Sequence, residues 1–68
     1  MLKTIRENKG ISQKKLADLS GVNIQMIQHY EQGVRDINKA QAITVLKLAK
    51  ALECNMENLI NEKEISDN

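Results

Sequence analysis

The low histidine and cysteine content of this sequence argues against catalysis and metal binding. His29 is the sole histidine and Cys54 is the sole cysteine. A metal site needs several ligands, and no carboxylate lies four residues from His29 on its helix face. The spacing of Cys54 and His29 gives no support for a nucleophile–base pair, so we expect Cys54 to be a small packed thiol. We expect no catalytic residue, no metal and no cofactor.

The polar side chains between residues 23 and 32 are suited to hydrogen bonding with a binding partner. At about 100° per residue, a helix that buries Ile27 and Tyr30 must expose the opposite side. Glutamine can bond bidentately to adenine, and an aliphatic group can pack on a thymine methyl. The alternative is that these residues are an ordinary solvated face. The side chains that this helix exposes are Ile24, Gln25, Gln28 and His29.

Helices must position these side chains, and the sequence predicts five short ones. Gly10, Gly21 and Gly33 are natural helix ends, and Ser12 and Asn23 are natural N-caps. A broad apolar arc predicts a buried helix over about residues 39–52, after a looser stretch. A last short amphipathic helix is expected near residues 56–60.

Length and composition limit the fold to one small domain. The chain has 68 residues with no Phe or Trp, and Tyr30 is its only aromatic residue, so the core must be aliphatic. There is no room for an enzyme-sized pocket with its own scaffold. The start of the sequence has no apolar run, so we expect no signal peptide or membrane span and a cytoplasmic location. We predict a domain over residues 1–61 and a polar, frayed tail over residues 62–68.

The net charge of +1 is distributed unevenly between the two halves of the chain. Residues 1–35 carry six basic and three acidic side chains, whereas residues 36–68 carry four basic and six acidic ones. The first half therefore attracts polyanions, although this asymmetry alone is weak evidence for nucleic-acid binding.

Two short helices joined at Gly21 predict a helix-turn-helix unit, with Ala17 allowing close approach of the helices. The segment from Ser12 to Gly33, SQKKLADLSGVNIQMIQHYEQG, resembles the signature of the lambda-repressor-like, Cro/C1-type (XRE) helix-turn-helix family, as does LKLAKAL over residues 46–52. The resemblance covers about residues 2–60. It implies an all-α, five-helix, lambda-repressor-like DNA-binding domain with the recognition helix, about residues 23–32, in the major groove.

The resemblance also assigns roles to residues. Base-edge contacts would fall to Ile24, Gln25, Gln28 and His29. Arg6 and Glu31 match a pair that the family joins by a buried salt bridge. Helix N-termini attract phosphate, and lysine and arginine add attraction that is independent of sequence. The phosphate contacts expected from these considerations are Ser12, Gln13, Lys14, Asn23, Arg35 and Lys9.

The function expected from these assignments is sequence-specific binding of double-stranded DNA by a small transcriptional regulator, a repressor. Because one recognition helix covers few base pairs, we expect a homodimer on a pseudo-palindromic operator. Met56, Leu59, Ile60 and Ile65 could form the apolar seam, or could only close the core of one chain. The alternative function is an antitoxin-like or antirepressor-like module that binds a protein partner with the same fold.

Overall fold

The computed structural model describes residues 1–60 and shows an all-α domain. Its four α-helices are α1 (Leu2–Lys9), α2 (Gln13–Ser20), α3 (Ile24–Gln32) and α4 (Ala42–Ala51). Two short 3-10 turns, Ile37–Lys39 and Met56–Asn58, flank α4, and this part of the chain contains no strand. The predicted all-α class is confirmed. The predicted tail over residues 62–68, with Ile65, lies outside the described residues.

The predicted helix boundaries around the turn are confirmed by the capping bonds. Ser12 Oγ accepts a hydrogen bond from the Lys15 amide (3.0 Å), and Asn23 Oδ1 accepts one from the Gln25 amide (2.7 Å). Gly21 ends α2 with φ of 75°, a left-handed conformation that side chains other than glycine adopt only at a cost. Ser12 thus starts α2, and Gly21 and Asn23 turn the chain from α2 into α3 within a few residues.

The core is aliphatic and lies around α2, which packs against both α3 and α4. Tyr30 is half-buried and packs against this core from α3. Burial of the aliphatic core side chains supplies the main driving force for folding. The largest fully buried side chains are Leu16, Ile27, Leu48 and Leu59.

The fifth helix predicted near residues 56–60 is wrong, because the chain forms only the single 3-10 turn Met56–Asn58 there. Asn55 and Asn58 close this turn reciprocally, with the Asn55 amide donating to Asn58 Oδ1 at 2.9 Å. The apolar side chains of this segment instead pack into the core. Leu59 is only 1% exposed, and Met56 and Ile60 pack against the buried core residues. These residues therefore close the core of one chain.

The predicted start of the long helix near residue 39 is also wrong, because α4 begins at Ala42. Asp36 Oδ1 accepts from the Asn38 amide (3.0 Å) and caps a separate 3-10 turn over Ile37–Lys39. Ala40 and Gln41 then have extended backbone, with ψ of 155° and 143°, which interrupts helical hydrogen bonding before α4.

Candidate nucleic-acid interface

One side of α3 remains at the surface of the domain. Gln25 is exposed, while Ile24, Gln28 and His29 are half-buried, and Ile27 on the opposite side is fully buried. At about 100° per residue the first four share one side of the helix. The structure therefore places all four predicted base-edge residues on a common surface.

A shallow groove runs between α2 and the start of α3. It is lined by residues that include Lys14, Ala17, Asn23 and Ile24. Lys14 is exposed, and its Nζ lies 3.4 Å from Oδ2 of Asp18, one helical turn away. The groove thus brings Lys14 and Asn23, two predicted phosphate contacts, next to Ile24.

The N-terminus of α2 carries several hydrogen-bond donors. The first four amides of a helix have no partner within it, and Ser12 satisfies only that of Lys15 with its side chain. Ser12 and Asn23 both use an oxygen as the cap acceptor, so the Ser12 hydroxyl proton and the Asn23 amide protons stay available as donors. This end of α2 is suited to a bound anion because the helix dipole adds to these donors.

Backbone hydrogen bonds fix the position of Arg35 at the C-terminal end of α3. The His29 carbonyl oxygen accepts from the Val34 amide (2.9 Å) and from the Arg35 amide (3.1 Å). Gly33 makes this reversal with φ of 80°. The exposed Arg35 side chain therefore projects from a fixed point next to the last turn of α3.

Below this surface, a buried ion pair joins α1 to α3. Arg6 Nε donates to Glu31 Oε2 (2.7 Å) and Arg6 Nη2 donates to Glu31 Oε1 (3.0 Å), which makes a bidentate pair. The Arg6 and Glu31 side chains are only 11% and 3% exposed. Arg6 Nη1 also donates to the Ile11 carbonyl oxygen at 2.8 Å. The structure thus brings together the two residues assigned to a salt bridge.

Gln13 is a third member of this cluster, which the sequence did not indicate. Its Nε2 donates to Glu31 Oε1 at 2.9 Å. The two residues are 18 positions apart, so no local spacing could have revealed the bond. The Arg6–Glu31–Gln13 cluster therefore links α1, α2 and α3 through one carboxylate.

The ionisation of Glu31 depends on this cluster. Burial acts to raise the pKa of the Glu31 carboxyl, but the hydrogen bonds from Arg6 and Gln13 and the positive charge of Arg6 outweigh it. The pKa of Glu31 therefore lies below its ordinary value, and Glu31 is a carboxylate at neutral pH. The same hydrogen bond raises the pKa of Arg6.

We predict that acid destabilises the domain through Glu31. Because its pKa is lower in the folded than in the unfolded chain, its contribution is fully present above the unfolded value of about 4.3 and is lost as pH falls through the folded value. Urea denaturation between pH 3 and pH 7 measures this loss. The variant Glu53→Gln removes a second carboxyl whose pKa is lowered and should retain the loss. A flat pH profile for that variant would contradict the prediction.

Lys9 lies apart from the other predicted phosphate contacts. Its ammonium ion contacts the Glu53 carboxylate, which lowers the pKa of Glu53. The pair borders a groove between α2 and α4 that Leu19 and Lys50 also line. The structure therefore groups Lys9 with α4, away from Lys14, Asn23 and Ile24.

Within residues 1–60, no group of three histidine, cysteine, aspartate or glutamate side chains could hold a metal ion. Cys54 is a half-buried free thiol, and burial raises its pKa. A thiol with a raised pKa is a poorer nucleophile at neutral pH. Along the same stretch, no helix is both long and apolar enough to cross a bilayer.

Two helices joined by a glycine turn, with an outward polar face on the second, define a helix-turn-helix domain. The helix-turn-helix family model matches residues 2–59, and the chain belongs to this Cro/C1-type (XRE) family. It is a family of DNA-binding transcriptional regulators that are typically not enzymes. No curated protein and no solved structure gives a significant match.

Proposed function

We propose that this protein binds double-stranded DNA sequence-specifically and acts as a repressor, with α3 in the major groove. The observation that carries the proposal is the continuity of two surfaces: the outward face of α3 borders the groove with Lys14 and Asn23. One surface offers hydrogen-bonding side chains to bases, and the other offers donors and positive charge to phosphates. A bound repressor would act by occupying its site on the duplex.

In this arrangement Gln25 makes the principal base contact because it is the most exposed of the four residues on this face. Its amide can bond bidentately to adenine N6 and N7. Gln28 and His29 follow one turn later and contact neighbouring base edges, and Ile24 packs on a thymine methyl. An α-helix with its side chains is about 10–12 Å across, a diameter suited to a groove about 12 Å wide, and the nine residues of α3 span about 13 Å.

The phosphate contacts lie at both ends of this helix. Ser12, Gln13 and Lys14 approach one phosphate from the N-terminus of α2, and Asn23 lines the same groove as Lys14. Arg35 approaches the backbone from the C-terminal end of α3. These contacts fix the position of the protein on the duplex without reading its sequence. Lys9 is left with Glu53 and is not included.

We further propose that two copies bind together as a homodimer. One helix of this length reaches only a few base pairs, too few for a typical specific affinity. A twofold pair on half-sites about 34–36 Å apart doubles the contacts and places both recognition helices in successive major grooves. The operator would then be pseudo-palindromic.

The experiment that tests this function is selection of bound duplexes from random DNA, followed by titration of the selected duplex at several salt concentrations. Neutralisation of phosphates by Lys14 and Arg35 should give a slope of log affinity against log salt of about −1.8 for each subunit. Sedimentation of the complex should show two chains per duplex. The variant Arg35→Ala should reduce the magnitude of the slope by about 1 per subunit.

The matched control is Lys50→Ala, which removes an exposed cation from α4. This variant should leave the salt slope unchanged. Recovery of no preferred duplex, or an affinity that is independent of salt, would contradict the proposed function. A defined complex with one chain per duplex would remove the homodimer and leave the DNA contacts in place.

A second candidate function, binding of a protein partner, is favoured by a different surface. Ile43 and Leu46 on α4 and Leu19 on α2 are large apolar side chains that remain at least 36% exposed. Ile43 and Leu46 lie three residues apart on one face of α4, and neighbouring exposed apolar side chains can mark a protein contact. The salt titration separates the two functions, since association through apolar surfaces persists at salt concentrations that abolish binding to phosphates.

A further inference from the structure

We propose that Glu31 is a positioning residue for DNA binding: it holds the Gln13 amide so that one N–H of that amide faces the phosphate. The inference rests on the proposed function, in which Gln13 contacts the DNA backbone. It gives the buried Arg6–Glu31 pair a role in recognition besides its role in stability. The observation behind it is the bond from Gln13 Nε2 to Glu31 Oε1 (2.9 Å).

Glu31 is itself held firmly enough to serve as a fixed acceptor. Both of its oxygens accept from Arg6, at 2.7 Å and 3.0 Å, and its side chain is 3% exposed. Arg6 is anchored in turn by the Ile11 carbonyl oxygen (2.8 Å), immediately before the N-cap of α2. The position of the carboxylate is thus set by α1 and by the connection into α2.

The bond also decides which group of Gln13 is presented to a ligand. A glutamine amide carries two N–H donors and one carbonyl acceptor, and its terminal torsion is broad when nothing constrains it. With Nε2 turned towards Glu31, one N–H is used and the second remains beside it for a phosphate oxygen. Because Arg6 neutralises Glu31, a phosphate approaching Gln13 does not meet an unpaired negative charge.

The free wild-type protein provides the first test, through NMR relaxation of its side-chain amides. We expect the Gln13 amide to be ordered, with an order parameter close to the backbone value of about 0.85. The exposed Gln25 amide on α3 is the internal control and should fall below about 0.6. A Gln13 amide as mobile as that of Gln25 would overturn the proposal, whether or not the protein binds DNA.

The second test removes the acceptor and keeps the fold. Replacing Arg6 and Glu31 together by methionine leaves net charge unchanged, and apolar replacement of a whole buried pair is commonly neutral for stability. We expect this paired variant to bind the selected duplex about 5-fold more weakly, in proportion to one hydrogen bond. In a Gln13→Met background the same pair of changes should alter affinity less than about 2-fold.

An equal loss of affinity in both backgrounds would overturn the proposal, since a purely structural role of Glu31 does not depend on Gln13. Circular dichroism and urea denaturation of each variant establish that the compared proteins are folded. Failure of the proposed function is distinguishable, because a wild-type protein that selects no duplex can still show an ordered Gln13 amide.

Discussion

Replacing Glu31 with alanine is expected to destabilise the domain by about 3–5 kcal/mol, because it leaves the Arg6 guanidinium buried without its partner. Arg6 is 11% exposed and remains protonated at any accessible pH, so it cannot relieve the loss by giving up its charge. Gln13 loses its acceptor as well. A domain of 68 residues has a total stability of only about 3–10 kcal/mol, so this change should remove a large part of its free energy of unfolding.

Urea denaturation monitored by circular dichroism measures this effect. The matched control is Asp18→Ala, which breaks the exposed Lys14–Asp18 pair and should change stability little. Replacing Arg6 and Glu31 together by methionine should restore most of the stability, because no buried charge then remains. A loss below 1 kcal/mol for Glu31→Ala, or one that simply adds to that of Arg6→Ala, would mean that the two side chains do not interact in solution.

The second large effect is expected for Gln25→Ala. This change should weaken binding to the selected duplex by about 1–3 kcal/mol and relax the preference at one base pair, since it removes the proposed base contact and no proposed phosphate contact. Competition among duplexes that differ at single positions measures both quantities. Gln13→Ala, by comparison, should weaken all duplexes alike.

The matched control is Gln41→Ala, the same substitution at an exposed position before α4, outside α3 and with no side-chain capping bond. It should leave both affinity and base preference unchanged. If the duplexes selected by Gln25→Ala have the same consensus as those selected by the wild type, the assignment of Gln25 to base readout is wrong.

The sequence predicted the parts of the fold that depend on local chemistry. Ser12 and Asn23 cap helices because their side-chain oxygens reach amides two or three residues ahead, which sequence spacing shows directly. Gly21 ends α2 for an equally local reason, its access to positive φ. The polar face of α3 followed from the helical period once Ile27 was assigned to the core.

What the sequence did not predict depends on contacts between distant residues. The apolar spacing of Met56, Leu59 and Ile60 suits a helix, yet packing of Leu59 into the core and reciprocal bonds between Asn55 and Asn58 favour a single turn. The bond from Gln13 to Glu31 and the contact of Lys9 with Glu53 join segments far apart in the chain. Such pairs are set by the packing of whole helices.

The single tyrosine gives the protein a built-in optical probe. Tyr30 is its only aromatic residue and sits half-buried against the core on the inner side of α3. Its ultraviolet emission is therefore not masked by tryptophan, and every change in intensity originates from one place. Loss of packing around the phenol ring and displacement of α3 can both be followed in unlabelled protein.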